Sequence, residues 1–350
     1  MRKLDTALLT ALVACGGSTG GRPGGSPAGG GSPTYAVTDL GFGHANFIDA
    51  QGRISGTSCS TAAGPCGGAV YLQGSGWSLA PVPQDATVVD VMGTDSGGNM
   101  ALNVHYLGSL RGGYWLAYTS SPLERIPIPA TISSDGSREA DVKAMNSAGH
   151  VVGPFQDGST AGSYFFDGSL TRIGEVAQEA GALAINSRDQ VAGWFLHPDD
   201  GVWTSHAFLW EGGVLRDLGT LAGSLTEATA INDSGIVAGW GMTNAISGTT
   251  AVFRWDGQMH ALGCPPATVS CQAFAINARG DIVGDAIVSV GGDRIAFIWR
   301  DGAFHRLDDL AQNASSWRFE RALSINDAGQ VVGTGSLNGA ANRAYLLAPR

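Results

Sequence analysis

The chain has 350 residues, 53 of them glycine, and its 20 basic against 30 acidic side chains leave a formal charge of -10. That acidic balance excludes the basic footprint of a nucleic-acid binder. With 43% hydrophobic and only 14% charged residues, a disordered polyelectrolyte is excluded as well, and no apolar run approaches the ~20 residues of a membrane span.

Arg2 and Lys3 open the chain, and the mostly apolar stretch from Thr6 ends in Leu12-Val13-Ala14-Cys15. A basic start, a short apolar core and a small residue before a cut predict a secretory signal over residues 1–14. The last four residues resemble a bacterial lipobox, which implies that Cys15 is the acylated first residue of the mature chain. Gly16 stands where an inner-membrane lipoprotein carries Asp, so the resemblance implies an outer-membrane or cell-surface lipoprotein. Several acyl chains on one Cys hold a membrane where one alone is marginal. Residues 15–34 are Gly, Ser and Pro with little else, a flexible tether that buries too little to offset ordering entropy.

The body, residues 35–350, opens on a strand-like segment, Tyr35-Ala36-Val37-Thr38-Asp39-Leu40-Gly41, and then repeats itself. The anchor reads A-I-N-x-x-G-x-V-x-G. It stands out at Ala230-Ile231-Asn232, Ala275-Ile276-Asn277 and Ser324-Ile325-Asn326, recurs at Ala184-Ile185-Asn186 and Ala144-Met145-Asn146, and is worn at Phe47-Ile48-Asp49 and near Thr94. Taking 49, 94, 146, 186, 232, 277 and 326 as anchors, the mean step is about 46 residues, the length of a four-stranded repeat. Each unit predicts a strand into Ile-Asn, a tight turn, a Val-x-Gly strand, an aromatic strand such as His206-Ala207-Phe208-Leu209-Trp210, and a fourth strand such as Val214–Gly219.

Four cysteines remain beside Cys15. Cys59 and Cys66, and Cys264 and Cys271, each enclose six residues of small or Pro-containing sequence. Two equal short loops favour two local disulfides and an oxidising compartment. Free thiols and zinc are the competing readings, and zinc is disfavoured because knuckles space their ligands more closely and no His sits beside either pair.

The expected fold is all-β, a seven-bladed β-propeller of four-stranded blades. The lone opening strand and the lone final strand, Ala344-Tyr345-Leu346-Leu347, would complete one blade together and remove two bare edges. On the first strand of each unit, positions two and four before the anchor are small (Ala228 and Ala230, Ala273 and Ala275) and the position next to it is bulky, so neighbouring blades nest small on large.

The run from His206 to Trp240 closely resembles the HAF-type extracellular repeat of bacterial envelope proteins. The resemblance covers most of 35–350 and implies an exported repeat protein without an established activity.

Chemistry is sparse in linear motifs. No H-E-x-x-H, G-x-S-x-G or P-loop occurs in residues 35–350, Gly333-Thr334-Gly335 only begins a dinucleotide fingerprint, and the Asn-Asp-Ser-Gly turns lack the ligand count of a calcium loop. No catalytic residue, cofactor or metal is therefore expected. His206 is read as a strand-edge side chain, and Trp194, Trp203, Trp240 and Trp317 as packing residues near loops. The candidate site is the position five before the anchor, occupied by His44, Asp141, Glu227, Gln272 and Arg321, which ring closure would bring to one channel mouth. The expectation is a monomeric, membrane-tethered, non-catalytic binding or scaffold module for a protein or glycan. The alternatives are a propeller-type polysaccharide hydrolase or lyase and a purely structural envelope protein.

Overall fold

In the computed structural model of the protein, the described residues are 34–61, 64–107, 113–120, 123–127, 139–157, 160–174, 179–199, 201–244, 248–289 and 292–350. The signal segment, Cys15 and all but the last residue of the tether lie outside them.

Each repeat starts from its anchor turn. Asn232 Oδ1 accepts the backbone N–H groups of Ser234 and Ile236, both at 3.0 Å. Its main chain bonds Ile236 and Gly235, and Gly235 takes the left-handed conformation the turn demands, at φ 79°. The turn thus reverses the chain with every local polar group paired, and the Val-x-Gly strand returns antiparallel beside the inner strand.

Three four-stranded antiparallel sheets follow this plan without interruption. Their inner strands are Ala180–Ile185, Thr226–Ile231 and Ser270–Ile276, and their outermost strands are Val214–Gly219, Met259–Gly263 and Ala303–Arg306. Two larger sheets, of eight and nine strands, each contain two such four-strand runs. In the nine-stranded sheet the runs meet through one parallel bridge, Trp115 to Glu139. In the eight-stranded sheet they share the long strand Tyr35–Ile48. Its first half pairs with the C-terminal strand Ala340–Pro349, from Tyr35↔Pro349 to Phe42↔Arg343, and its second half with Ile54–Cys59. The two chain ends are therefore neighbours in one sheet, as expected, and the fold is an all-β propeller.

The anchors are chained together. The Asn146 carboxamide donates to the backbone carbonyl of Asn186 at 3.0 Å, Asn186 to Asn232 at 3.0 Å, Asn232 to Asn277 at 3.0 Å, Asn277 to Asn326 at 3.4 Å and Asn326 to Asp49 at 3.1 Å. The circuit returns through Thr94, whose hydroxyl donates to Asp49 at 3.0 Å, and through the Ser96 N–H to the Ser147 carbonyl at 3.0 Å. In that unit the turn is organised by Asp95, which accepts the Asn99 N–H at 2.8 Å. The anchor is therefore Asp95, and the sequence alignment on Thr94 is corrected by one residue.

Every clearly formed inner strand carries a bulge at one place. Register skips a residue between Ala182 and Ala184, Ala228 and Ala230, Ala273 and Ala275, and Ala322 and Ser324, and likewise at Ala45/Phe47 and Val91/Gly93. The bulge throws the carbonyl two residues upstream against the partner strand. A Cβ on Gly239 would fall 2.0 Å from the Glu227 carbonyl oxygen and 2.6 Å from the Phe253 ring, and Gly193, Gly284 and Gly333 are as tightly placed. Glycine in Val-x-Gly is a clearance requirement.

The core lies in layers between sheets. Ala184, Ala192 and Ala207 of one sheet pack with Ile231, Val237, Phe253 and Trp255 of the next, and Ala230 and Ala238 pack with Ile276, Ile282 and Phe297 beyond it. This is the small-on-large nesting expected from the inner-strand pattern.

Replacing Asn232 with Ala orphans two turn N–H groups and removes one of the two donors to the Asn277 carbonyl, which keeps the Gly280 N–H. The expected loss of unfolding free energy is about 2–4 kcal/mol, from roughly 1 kcal/mol per bond plus the unpaired buried groups. Urea denaturation of the purified variant measures it.

Candidate functional site in the axial channel

The inner strands and their turns converge on a cavity of about 360 Å³. Each repeat supplies its bulged residue to the wall. Met92, Leu183, Phe274 and Leu323 make it apolar, while Asn46, Lys143 and Thr229 add polar groups. The sequence reading missed these positions. Strict alternation assigns the residue three before the anchor to an inter-sheet face, and the bulge releases it to the axis.

The residues five before the anchor lie two positions upstream of that wall, and they divide into groups. Arg321 reaches Asp285, Nε to Oδ2 at 3.0 Å, sharing that carboxylate with Arg294 at 2.6 Å, and its guanidinium lies over the Phe274 ring at 4.9 Å. Asp285 is buried, and loss of solvation raises its pKa despite the two guanidinium groups. His44 reaches solvent, yet the surrounding walls thin its hydration and Arg321 repels its charged form, so its pKa is lowered. Asp141 pairs with Lys143 Nζ at 3.1 Å. The structure adds Asp90, which occupies the same place in the repeat anchored by Asp95 and was hidden by the one-residue misalignment. Burial and the Asp141 charge raise its pKa. His44 is thus brought to Arg321 and Asp90 to Asp141, while no described hydrogen bond joins Gln272 or Glu227 to the others.

Glu227 differs from its neighbours. It is half-buried on the strand that supplies Thr229 to the cavity, and its carboxyl has no hydrogen-bond partner among the described residues. Burial alone pushes its pKa up to about 7.

The other singled-out residues fall elsewhere. Trp203 is 62% exposed, Trp317 stacks on Phe319 at 5.6 Å, and Trp194 and Trp240 are half-buried in second strands. His206 is corrected from a strand-edge side chain to a buried one in the middle of Val202–Glu211, between Asp199 and Asp217. Cys59–Cys66 and Cys264–Cys271 are both disulfides. The first closes a hairpin on directly opposed residues. The second clips an outer strand to the next inner strand, with Cys264 just past Met259–Gly263 and Cys271 inside Ser270–Ile276. They point to an extracellular or periplasmic compartment. Among the described residues no helix is long and apolar enough to cross a membrane.

No family model matches the chain, and no curated protein does either. Solved propellers do. The β-propeller domain of the Trilobed protease from Pyrococcus furiosus is 12% identical, with 90% of this chain and 95% of that one covered and a TM-score of 0.52. That domain is described as having an open velcro topology, whereas the ends of this chain pair over a long antiparallel register. Virginiamycin B lyase from Staphylococcus aureus is 11% identical over 90% of this chain and 99% of that one, with a TM-score of 0.51. Acylaminoacyl peptidase from Pyrococcus horikoshii is 11% identical over 86% of this chain and 49% of that one, with a TM-score of 0.49.

The first two likenesses establish the fold. They also correct the step from missing motifs to a chain without enzymatic activity, because a protein of matching fold is a lyase. The physical reason is that a channel drawing one residue from each repeat leaves no contiguous motif, so sparse linear motifs do not decide activity.

Glu227 should make stability fall with rising pH. Its folded pKa lies above the unfolded value of 4.5, so the native state holds one more proton between about 4.5 and 7 and loses stability across that window. Glu227→Gln should match the parent at pH 4 and exceed it at pH 8 by up to roughly 3 kcal/mol. Urea unfolding at the two pH values reads the difference.

Proposed function

We propose that the protein is an exported, envelope-anchored propeller enzyme that cleaves polysaccharide chains at its axial channel, as a hydrolase or a lyase. One observation carries this reading: the half-buried Glu227 carboxyl, beside the cavity wall, is left without a described partner. Scaffold carboxyls are normally bonded. One without a protein partner, two residues along the strand from Thr229 of the cavity wall, is free to exchange a proton with a bound molecule.

A carboxyl that titrates near 7 is suited to that exchange at neutral pH. In the hydrolase form Glu227 donates its proton to the glycosidic oxygen while water, activated by the Asp90 and Asp141 carboxylates, attacks the anomeric carbon. In the lyase form the ionised Glu227 removes the proton beside a uronate carboxylate, a C=C bond forms as the glycosidic C–O bond breaks, the departing oxygen takes a proton from water, and Lys143 balances the developing negative charge. The wall fits a sugar chain, with Leu183, Leu323 and the Phe274 ring offering apolar faces and Asn46 and Thr229 offering hydroxyl partners.

The same proposal has seven blades, supported by the seven-fold recurrence of the Asn or Asp turn. It places the chain with the HAF-type extracellular repeat proteins, on residues 206–240. It holds the protein as a monomer at the outer membrane through acylated Cys15.

The mature protein is assayed on a panel of cell-envelope and plant polysaccharides, following reducing ends and the ultraviolet absorbance of unsaturated uronate products. The first signal alone identifies a hydrolase and both together a lyase. Glu227→Gln should lower turnover by about 100-fold or more while leaving KM within a few-fold. Binding without turnover, or turnover that Glu227→Gln leaves intact, overturns the reading.

A further inference from the structure

A second constellation sits on the second and third strands of one sheet, away from the inner strands. The hairpin of Val191–Asp199 and Val202–Glu211 runs nine and ten residues, against six and six in the following sheet. The added pairs, His197↔Thr204 and Asp199↔Val202, extend the ladder beyond Phe195↔His206. Alternation puts His197, Asp199, Thr204 and His206 on one face.

On that face His197 Nδ1 lies 2.7 Å from Asp199 Oδ1 and His206 Nε2 lies 2.6 Å from Asp199 Oδ2. The Thr204 hydroxyl donates to the same Asp199 oxygen. The two imidazoles stack with centroids 4.7 Å apart. One ligand atom from each of His197, Asp199 and His206 lies within 4.8 Å of the other two. Independently, the far nitrogen of His206, Nδ1, is 3.0 Å from both oxygens of Asp217.

We propose that His197 Nδ1, the Asp199 carboxylate and His206 Nε2 bind one Zn²⁺ ion, with Asp217 as the positioning residue for His206. Two imidazoles and one carboxylate are the donor set of a three-ligand zinc site, and the all-oxygen preference of Ca²⁺ and Mg²⁺ fits it poorly. The Asp217–His206 contact is the carboxylate–histidine–metal arrangement, which fixes the ring's tautomer and aims Nε2 at the ion. Without zinc both nitrogens of His206 face carboxylates, and zinc coordinates the ring through an unprotonated Nε2. Tetrahedral bonds of ~2.0–2.2 Å set ligand atoms roughly 3.4 Å apart, so the ion enters as the 2.6 and 2.7 Å contacts to Asp199 open, and the exposed His197 supplies that movement by side-chain rotation. His197 and Asp199 are 42% and 41% exposed, so the fourth position opens to water.

The test uses the full chain with Cys15→Ser, purified without a polyhistidine tag and stripped with EDTA. It is titrated with ZnCl₂ by calorimetry, and the zinc retained after dialysis is counted by atomic spectroscopy. One zinc per chain is expected. His197→Ala should weaken binding about 100-fold or more, and Asp217→Asn should weaken it about 10- to 100-fold at unchanged stoichiometry. His260→Ala, on another sheet, should leave it unchanged, and circular dichroism verifies that each variant is folded. The proposal is overturned if the parent binds no zinc below ~100 μM, as an ion-pair cluster that only ties the hairpin would behave. It is equally overturned if His197→Ala and Asp199→Asn both bind like the parent.

Discussion

The Asn carboxamide that follows the inner strand in five of the repeats is the contact on which the rest depends. Its oxygen closes its own turn and its nitrogen holds the carbonyl of the next anchor, so one side chain couples local folding to assembly of neighbouring sheets. Because these groups are buried, the low dielectric strengthens the bonds and makes each missing partner expensive. The circuit closes only if Asn326 finds Asp49, residues 277 apart in the chain. Closure is reinforced at that seam by the Ser324 hydroxyl, which accepts the Ile48 N–H at 3.2 Å, and the other end of the same strand is tied to the preceding sheet by Arg300, which donates to the Tyr35 hydroxyl at 2.9 Å.

With the anchors held, the bulge beside them separates scaffold from chemistry. The small residues on either side of it stay in the inter-sheet layers, and the bulged residue is released to the channel. Glycine on the partner strand accommodates the displaced carbonyl. The wall position is thus free to be Lys143 in one repeat and Phe274 in another without disturbing the packing behind it. The channel wall is assembled from many repeats, each contributing one group.

Two carboxylates show how that freedom is used. Asp285 is buried, and two guanidinium groups satisfy it, which makes it part of the frame. Glu227, at the same level of the neighbouring repeat, is given no such partner, and its proton is held more tightly for lack of solvation alone. The difference between the two is the presence or absence of arginines within hydrogen-bond reach.

What the sequence by itself determined is everything written in short-range spacing. The period of the Asn turns, the small–bulky alternation of inner strands, the Val-x-Gly and aromatic strands and the two six-residue cysteine loops are all local. Each follows from turn chemistry, from the two-residue pitch of a strand or from the reach of a disulfide. The pairing of the first and last strands was legible too, because each lacked the neighbour that the other supplied. Only the tertiary structure decided which side chains meet. A bulge shifts phase by one residue without leaving a mark in composition, so Leu183 and Thr229 were hidden as wall residues. The replacement of Asn by Asp95 displaced Asp90 from its place in the alignment. His197, Asp199, His206 and Asp217 come together because a hairpin extends past the repeat's usual length and brings residues of three strands to one face, a proximity that depends on register and not on sequence distance.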